Sequence, residues 1–325
     1  MTELARFSPF VAPAAPRLDP AKFRDPHLTA KGERRAQVAL ERLETLWFNT
    51  GTLCNLTCMN CYIESSPRND ALVYLKAAEA RGFLDEIAAQ RLGTREIGFT
   101  GGEPFMNPDI VEMLGDALVR GFDVLVLTNA MRPMRRHEAA LLELQARYGT
   151  QLTMRVSLDH HTAAVHEAER GVATFEKTLD GIAWLAAHGF RLAVAGRRLT
   201  DETETDARAA FGRLFQRLGA PVDPFDPGQL VLFPEMDAGH DVPEITEACW
   251  GILHKSPLEG MCASSRMVVR RKGEAQASVV ACTLLPYDPQ FDLGPALSGA
   301  LGSVALNHPH CAKFCVLGGA SCSKS

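Results

Sequence analysis

The chain has 325 residues, of which 46% are hydrophobic and 22% charged, with a formal net charge of −5 and a pI near 6.1. That balance suits one large globular domain, or a barrel-sized domain with an appendage, and it gives no electrostatic case for binding nucleic acid or an anionic membrane. No apolar run reaches the roughly 18 residues of a membrane span, and Met1 to Lys22 lacks the apolar core of a secretory signal, so a cytoplasmic location is expected. Nine cysteines, an odd number, fit metal ligation better than a disulfide framework in such a compartment.

Residues 1–42 read as a Pro-rich arm followed by a charged helix ending near Arg42. From Leu43 a repeating pattern begins. Short apolar runs at Thr45–Asn49, Glu96–Thr100, Asp123–Thr128, Leu152–Leu158, Arg191–Ala195 and Gln229–Phe233 predict strands, and amphipathic stretches near 75–90, 108–120, 135–147, 174–188 and 203–218 predict helices between them. Repeats of this length are βαβ units, and a run such as Val124-Leu125-Val126-Leu127 suits a parallel strand buried on both faces. The fold class is α/β: a partial (β/α)6 barrel over 43–240, with a small cysteine-rich hairpin extension over 241–325.

In such a barrel the chemistry lies at the C-terminal strand ends. The loop after the first strand holds Cys54, Cys58 and Cys61, spaced C-x3-C-x2-C. Three thiolates this close can hold three irons of a cubane cluster and leave the fourth iron open. The same spacing also marks one helix face, but Gly51, Thr52, Asn55, Thr57 and Asn60 disfavour a helix. A zinc site needs a fourth ligand, and no His follows until His137.

The second strand runs into Gly101-Gly102-Glu103-Pro104. Two glycines allow close backbone approach, and Glu103 offers a carboxylate to a cationic amine. Asn107-Pro108-Asp109 then reads as a helix start with Asn107 as N-cap. Thr128 and Asn129 end the third strand, and Ser157 and Asp159 the fourth. His160 and His161 follow as proton carriers or as solvated loop residues. Arg197 ends the fifth strand, and Glu235 and Asp237 follow the sixth.

Beyond Pro234, Cys249, Cys262, Cys282, Cys311, Cys315 and Cys322 crowd the end of the chain. Arg266–Arg271 and Ser278–Ala281 flank Lys272-Gly273, which predicts a hairpin with Cys262 and Cys282 at its outer ends. With Cys311, Cys315 and Cys322 they supply ligands for another cluster, one of the five being spare, although zinc fits the ligand type as well. Cys249, beside Trp250, reads as a buried thiol.

The cysteine triplet and the Gly-Gly-Glu-Pro run together resemble the signature of the radical S-adenosylmethionine (SAM) superfamily. The C-terminal segment resembles that superfamily's SPASM or twitch extension, lacking one cysteine of the full pattern, so one auxiliary iron–sulfur cluster is expected. The resemblance implies a [4Fe-4S] cluster whose open iron binds SAM and cleaves it reductively to a 5′-deoxyadenosyl radical, fed by a donor such as flavodoxin or ferredoxin. It assigns Gly101, Gly102, Glu103 and Pro104 to the amino group of SAM. Ser157 and Asp159 fall to its ribose, with Thr128 and Asn129 beside them, and Arg197 to its carboxylate or else to a surface ion pair. An aromatic residue usually precedes the third cysteine; here Asn60 stands there and Tyr62 follows, both near the adenine. His160, His161 and Glu235 are the candidates for catalysis on the substrate. Only about 40 residues precede the barrel, which favours a small metabolite, to be oxidised or rearranged, over a peptide or protein. A non-enzymatic iron–sulfur or zinc protein is the remaining alternative.

Overall fold

The computed structural model describes residues 16–234 and 239–318; Glu235, Asp237 and Cys322 lie outside the described residues. A two-residue strand, β1 (Gln37–Val38), precedes six strands that match the expected runs: β2 (Thr45–Asn49), β3 (Glu96–Thr100), β4 (Asp123–Thr128), β5 (Leu152–Ser157), β6 (Arg191–Arg197) and β7 (Leu230–Phe233). Helices connect them: α1 (Ala77–Gln90), α2 (Ile110–Val119), α3 (Arg132–Arg135), α4 (Glu138–Tyr148), α5 (Ala163–Arg170), α6 (Phe175–Ala187) and α7 (Glu204–Leu218). A short helix α8 (Cys249–Leu253), strands β8 (Ser265–Val269), β9 (Ser278–Val280) and β10 (Val304–Ala305), and a wide π-type turn at Cys311–Leu317 complete the described chain.

The main sheet has eight strands in the order β7-β6-β5-β4-β3-β2-β8-β9. All neighbours are parallel except the hairpin pair β8 and β9. Sequential parallel strands joined by helices are what βαβ repeats build. The predicted hairpin does form, and it continues the main sheet: Leu46 and Trp47 of β2 pair with Arg266 and Met267 of β8. The sheet therefore runs across the boundary expected at residue 240.

Strand alternation sends side chains to two different cores. Leu46, Phe48, Ile97, Phe99, Val124 and Val126 pack against the helices. Trp47, Leu125, Met267 and Val269 pack with the C-terminal segment and with Ala36 and Val38 of the arm. Gly98 makes room for the Trp47 indole, since a Cβ there would lie 2.3 Å from the ring.

Two expectations are corrected. No helix forms among residues 16–42; the arm instead contributes β1, which pairs antiparallel with β10. A charged, Pro-rich stretch without an apolar stripe has little to gain as a helix, whereas Val38 is fully buried as a strand. The helix after Gly-Gly-Glu-Pro starts at Ile110 with Asp109 at its cap, two residues later than Asn107 implies. Asn107 is otherwise engaged: its Nδ2 donates to the carbonyls of Thr50 and Leu75, both at 2.9 Å. Among the described residues no helix is long and apolar enough to cross a membrane.

Candidate active site

One cavity opens at the C-terminal ends of the parallel strands, where βα loops collect functional groups. Cys54, Cys58 and Cys61 line it together with Asn60, Tyr62, Gly101, Gly102, Thr128 and Asn129. Ser157, Asp159 and Arg197 complete the set of sequence-expected residues found on its wall. Leu127, Phe233, Pro234, Leu284 and Phe314 form an apolar side.

The cysteine loop is held from several directions. The Cys54 N–H donates to the Ser66 carbonyl at 3.1 Å, and the Leu56 and Ser65 amides approach the sulfurs of Cys54 and Cys61 at 3.4 and 3.3 Å. Tyr287, from the C-terminal segment, donates its hydroxyl to the Ile63 carbonyl at 2.8 Å. Burial pushes the Cys54 thiol up to about 12 and raises that of Cys58. A metal reverses this bias, because a coordinating thiol loses its proton outright.

The two glycines let this loop and the next one meet. Gly101 has φ +139°, and a Cβ on Gly102 would lie 2.2 Å from the Leu53 carbonyl oxygen. The Gly102 N–H donates to the Gly51 carbonyl at 2.7 Å. The Glu103 side chain is turned away from the cavity. It accepts from Thr128 Oγ1 at 2.9 Å, from the Asn129 N–H at 2.8 Å and from the Phe105 N–H at 3.2 Å. Burial pushes its carboxyl up to about 7, against the pull of these donors. Glu103 thus braces the end of β4, and the backbone of the glycines faces the cavity. Pro104 is buried and begins a single helical turn.

Helix α5 brings residues that the sequence reading missed. Asp159 is held bidentately by Arg170, through Nε at 2.7 Å and Nη2 at 3.0 Å. Burial works to raise the Asp159 pKa, but Arg170 and Arg197 outweigh it and hold the carboxyl below its usual range. Arg197 donates to Glu169 Oε2 at 2.7 Å. Glu169 also accepts from Asn60 Nδ2, at 3.2 and 3.1 Å, and its carbonyl accepts the Met59 N–H at 2.8 Å. The pairs Asp159–Arg170 and Glu169–Arg197 therefore clamp the cysteine loop to β5, β6 and α5. His166, on the same helix, is fully buried edge-on to Phe175, and burial lowers its pKa to about 4, so it packs as a neutral ring.

His160 and His161 do not line the cavity and instead both meet Glu202. Alternation past Ser157 and Asp159 turns His160 away from the cavity, and His161, beyond the end of β5, no longer alternates and stays beside His160 on Glu202. The catalytic role expected for His160 and His161 would require them on this cavity's wall, and they stand outside it.

A second cavity lies beneath the C-terminal segment, and Cys262, Cys282, Cys311 and Cys315 all line it. Cys249 is half-buried beside Thr246, not a buried thiol, and does not line this cavity. Burial pushes Cys262 up to about 12 and raises Cys282 and Cys311. The buried Arg266 guanidinium donates to the Cys262 carbonyl at 2.6 Å. Leu284 is on the wall of both cavities.

The family model for the radical SAM superfamily matches residues 48–210. The chain belongs to the radical SAM superfamily. Members of this superfamily are SAM-dependent iron–sulfur enzymes, and the three thiols converging beside two cavity-facing glycines fit that donor set. Among curated relatives, the chain is 35% identical over 143 residues to the antilisterial bacteriocin subtilosin biosynthesis protein AlbA of Bacillus subtilis, covering 44% of this chain and 30% of AlbA. It is 30% identical over 137 residues to the mycofactocin maturase MftC of Mycobacterium tuberculosis, covering 42% of this chain and 33% of MftC. The matched segment thus spans about a third of these curated relatives. In fold it is similar to SuiB of Streptococcus suis bound to the precursor peptide SuiA, with a TM-score of 0.57 and 12% identity over 79% of this chain and 63% of that one.

Proposed function

We propose that this radical SAM enzyme modifies a peptide, and that Cys262, Cys282, Cys311 and Cys315 hold an auxiliary iron–sulfur cluster. The observation that carries the site assignment is the meeting of Cys54, Cys58 and Cys61 with Gly101 and Gly102 on one cavity wall. Those three thiolates would hold a [4Fe-4S] cluster, which, once reduced by one electron, would cleave bound SAM to methionine and a 5′-deoxyadenosyl radical able to take hydrogen from the substrate. The polar side of the cavity, with Ser157, Asp159, Arg170 and Arg197, would hold SAM's ribose and carboxylate. Phe233, Pro234, Leu284 and Phe314 give the opposite side an apolar surface that suits a substrate side chain and excludes water from the reacting atoms.

The peptide reading rests on relatives that include a bacteriocin biosynthesis protein and a maturase, and on the fold shared with a protein crystallised with a precursor peptide. They favour a peptide over the small metabolite expected from the sequence. Strand β7 also suits an extended ligand. It stands at the edge of the sheet, and Phe233 at its end lines the cavity. For the auxiliary cluster, the support is four cysteines around one cavity, with the buried Arg266 positioned to offset thiolate charge. A flavodoxin- or ferredoxin-type donor would supply the electron.

The test uses anaerobically reconstituted protein, dithionite, SAM and each short peptide encoded beside the gene. One peptide should lose hydrogen mass or gain a cross-link. Cys282→Ala should still release 5′-deoxyadenosine, yet bind less iron and yield no modified peptide. If no peptide changes mass and a low-molecular-mass cell extract stimulates 5′-deoxyadenosine release instead, the substrate is a metabolite. Unchanged iron in Cys282→Ala would remove the auxiliary cluster.

A further inference from the structure

Two neighbouring imidazoles and one carboxylate converge outside both cysteine-lined cavities. His160 and His161 lie in the loop after β5, and Glu202 lies in the loop between β6 and α7. The rings stand 4.1 Å apart between centroids. His160 Nε2 is 2.8 Å from Glu202 Oε1, and His161 Nε2 is 3.2 and 3.0 Å from the two carboxylate oxygens. Oε1 receives a third donor, the Thr200 hydroxyl at 2.9 Å. The side chains are 5%, 17% and 26% exposed, so the cluster is sheltered on one side and open to water on the other.

We propose that His160, His161 and Glu202 form a binding site for a zinc-class divalent cation. Two imidazole nitrogens and a carboxylate oxygen are a donor set that zinc takes, with water in the fourth position. The three ligand atoms already lie within 4.8 Å of one another. Zinc at about 2.0–2.1 Å from each ligand requires tetrahedral ligand separations of about 3.3 Å, so the two histidine–carboxylate contacts need to open by only a few tenths of an ångström. Two imidazoles and a hydroxyl aimed at one carboxylate form a crowded set, and a cation between them replaces shared hydrogen bonds with coordination.

The surroundings can follow the proton. His160 Nδ1 lies 2.8 Å from Thr162 Oγ1 and 3.1 Å from the Thr162 backbone nitrogen. Without metal, Nδ1 accepts from that N–H and Nε2 donates to Glu202. With metal on Nε2, the ring proton sits on Nδ1, where the Thr162 hydroxyl accepts it and the contact from the Thr162 N–H is given up. The ion would tie the loop after β5 to the loop after β6. Asp159 and Arg197, which begin and brace the clamp on the cysteine loop, sit one and five residues from these ligands. The site is therefore structural, and it does not face the cavity.

The measurement is zinc retention by the anaerobically reconstituted protein, in which the seven proposed cluster cysteines are already filled with iron. After exposure to Zn(II) and gel filtration, about one zinc per chain should remain, with an X-ray absorption shell of nitrogen and oxygen and no sulfur. His161→Ala and Glu202→Gln should each lower zinc affinity at least about tenfold while leaving iron content unchanged. No retained zinc, a sulfur-containing shell in the wild-type protein, or equal retention by both variants overturns the proposal. The wild-type absorption spectrum decides it even if a variant folds poorly.

Discussion

Replacing Cys54, Cys58 or Cys61 by Ala reduces 5′-deoxyadenosine release to background. In the proposed assignment each is one of the three cysteines that line that cavity among the described residues, and a cubane cluster with two thiolates is not retained in a form that binds SAM. The fold should survive the change. The loop is independently held by Tyr287 on Ile63, by Asn107 on Thr50 and by Glu169 on Met59 and Asn60. Iron should fall only in part, because the four cysteines of the second cavity are untouched. Iron analysis, circular dichroism and product chromatography on the same preparation check all three points. Normal 5′-deoxyadenosine release by any of the three variants would contradict the assignment of these ligands.

Arg170→Met destabilises the protein by about 3–5 kcal/mol, the cost of leaving one member of a buried ion pair without its partner. Asp159 is 3% exposed at its side chain and Arg170 15%, and the pair is bidentate. Against a typical total of about 5–15 kcal/mol, this is a large fraction. The contribution has a pH signature. Asp159 is held below the usual carboxylate range, so its stabilisation is present above the unfolded pKa of about 3.9 and is lost as pH falls through the lower folded value. In Arg170→Met that stabilisation is absent at neutral pH as well. Changing both partners, Asp159→Asn with Arg170→Met, should recover part of the loss, because no bare charge remains. Urea unfolding of the iron-free protein measures each value. A single variant within 1 kcal/mol of wild type, a threshold well below the predicted cost, would show that water or another cation compensates Asp159.

The sequence made the sheet legible because parallel strands buried on both faces must be short apolar runs, and β2 to β7 are. The cysteine triplet and the two glycines were legible for a different reason: their chemistry depends on spacing within one loop. Helix α5 was not visible. It is only two turns long, lacks a side-chain N-cap, and buries His166 and Glu169 rather than apolar residues, so it shows no apolar stripe. Missing it meant missing Glu169 and Arg170, and with them the partners that engage Asp159, Arg197 and Asn60. The orientation of His160 was also hidden, because it follows from where β5 stops alternating. Which C-terminal cysteines meet depends on β8 joining β2 and on the wide turn at Cys311–Leu317, both long-range consequences of packing. The short β1 was beyond any pattern: two residues carry no period, and its partner β10 lies at the far end of the chain.

The most direct test is electron paramagnetic resonance of the dithionite-reduced, anaerobically reconstituted protein, recorded before and after adding SAM, with the products then separated. The account predicts that SAM alters the spectrum of one reduced [4Fe-4S] cluster and that 5′-deoxyadenosine and methionine form in equal amounts. A cluster spectrum indifferent to SAM, with no 5′-deoxyadenosine formed, would contradict an open iron at Cys54, Cys58 and Cys61.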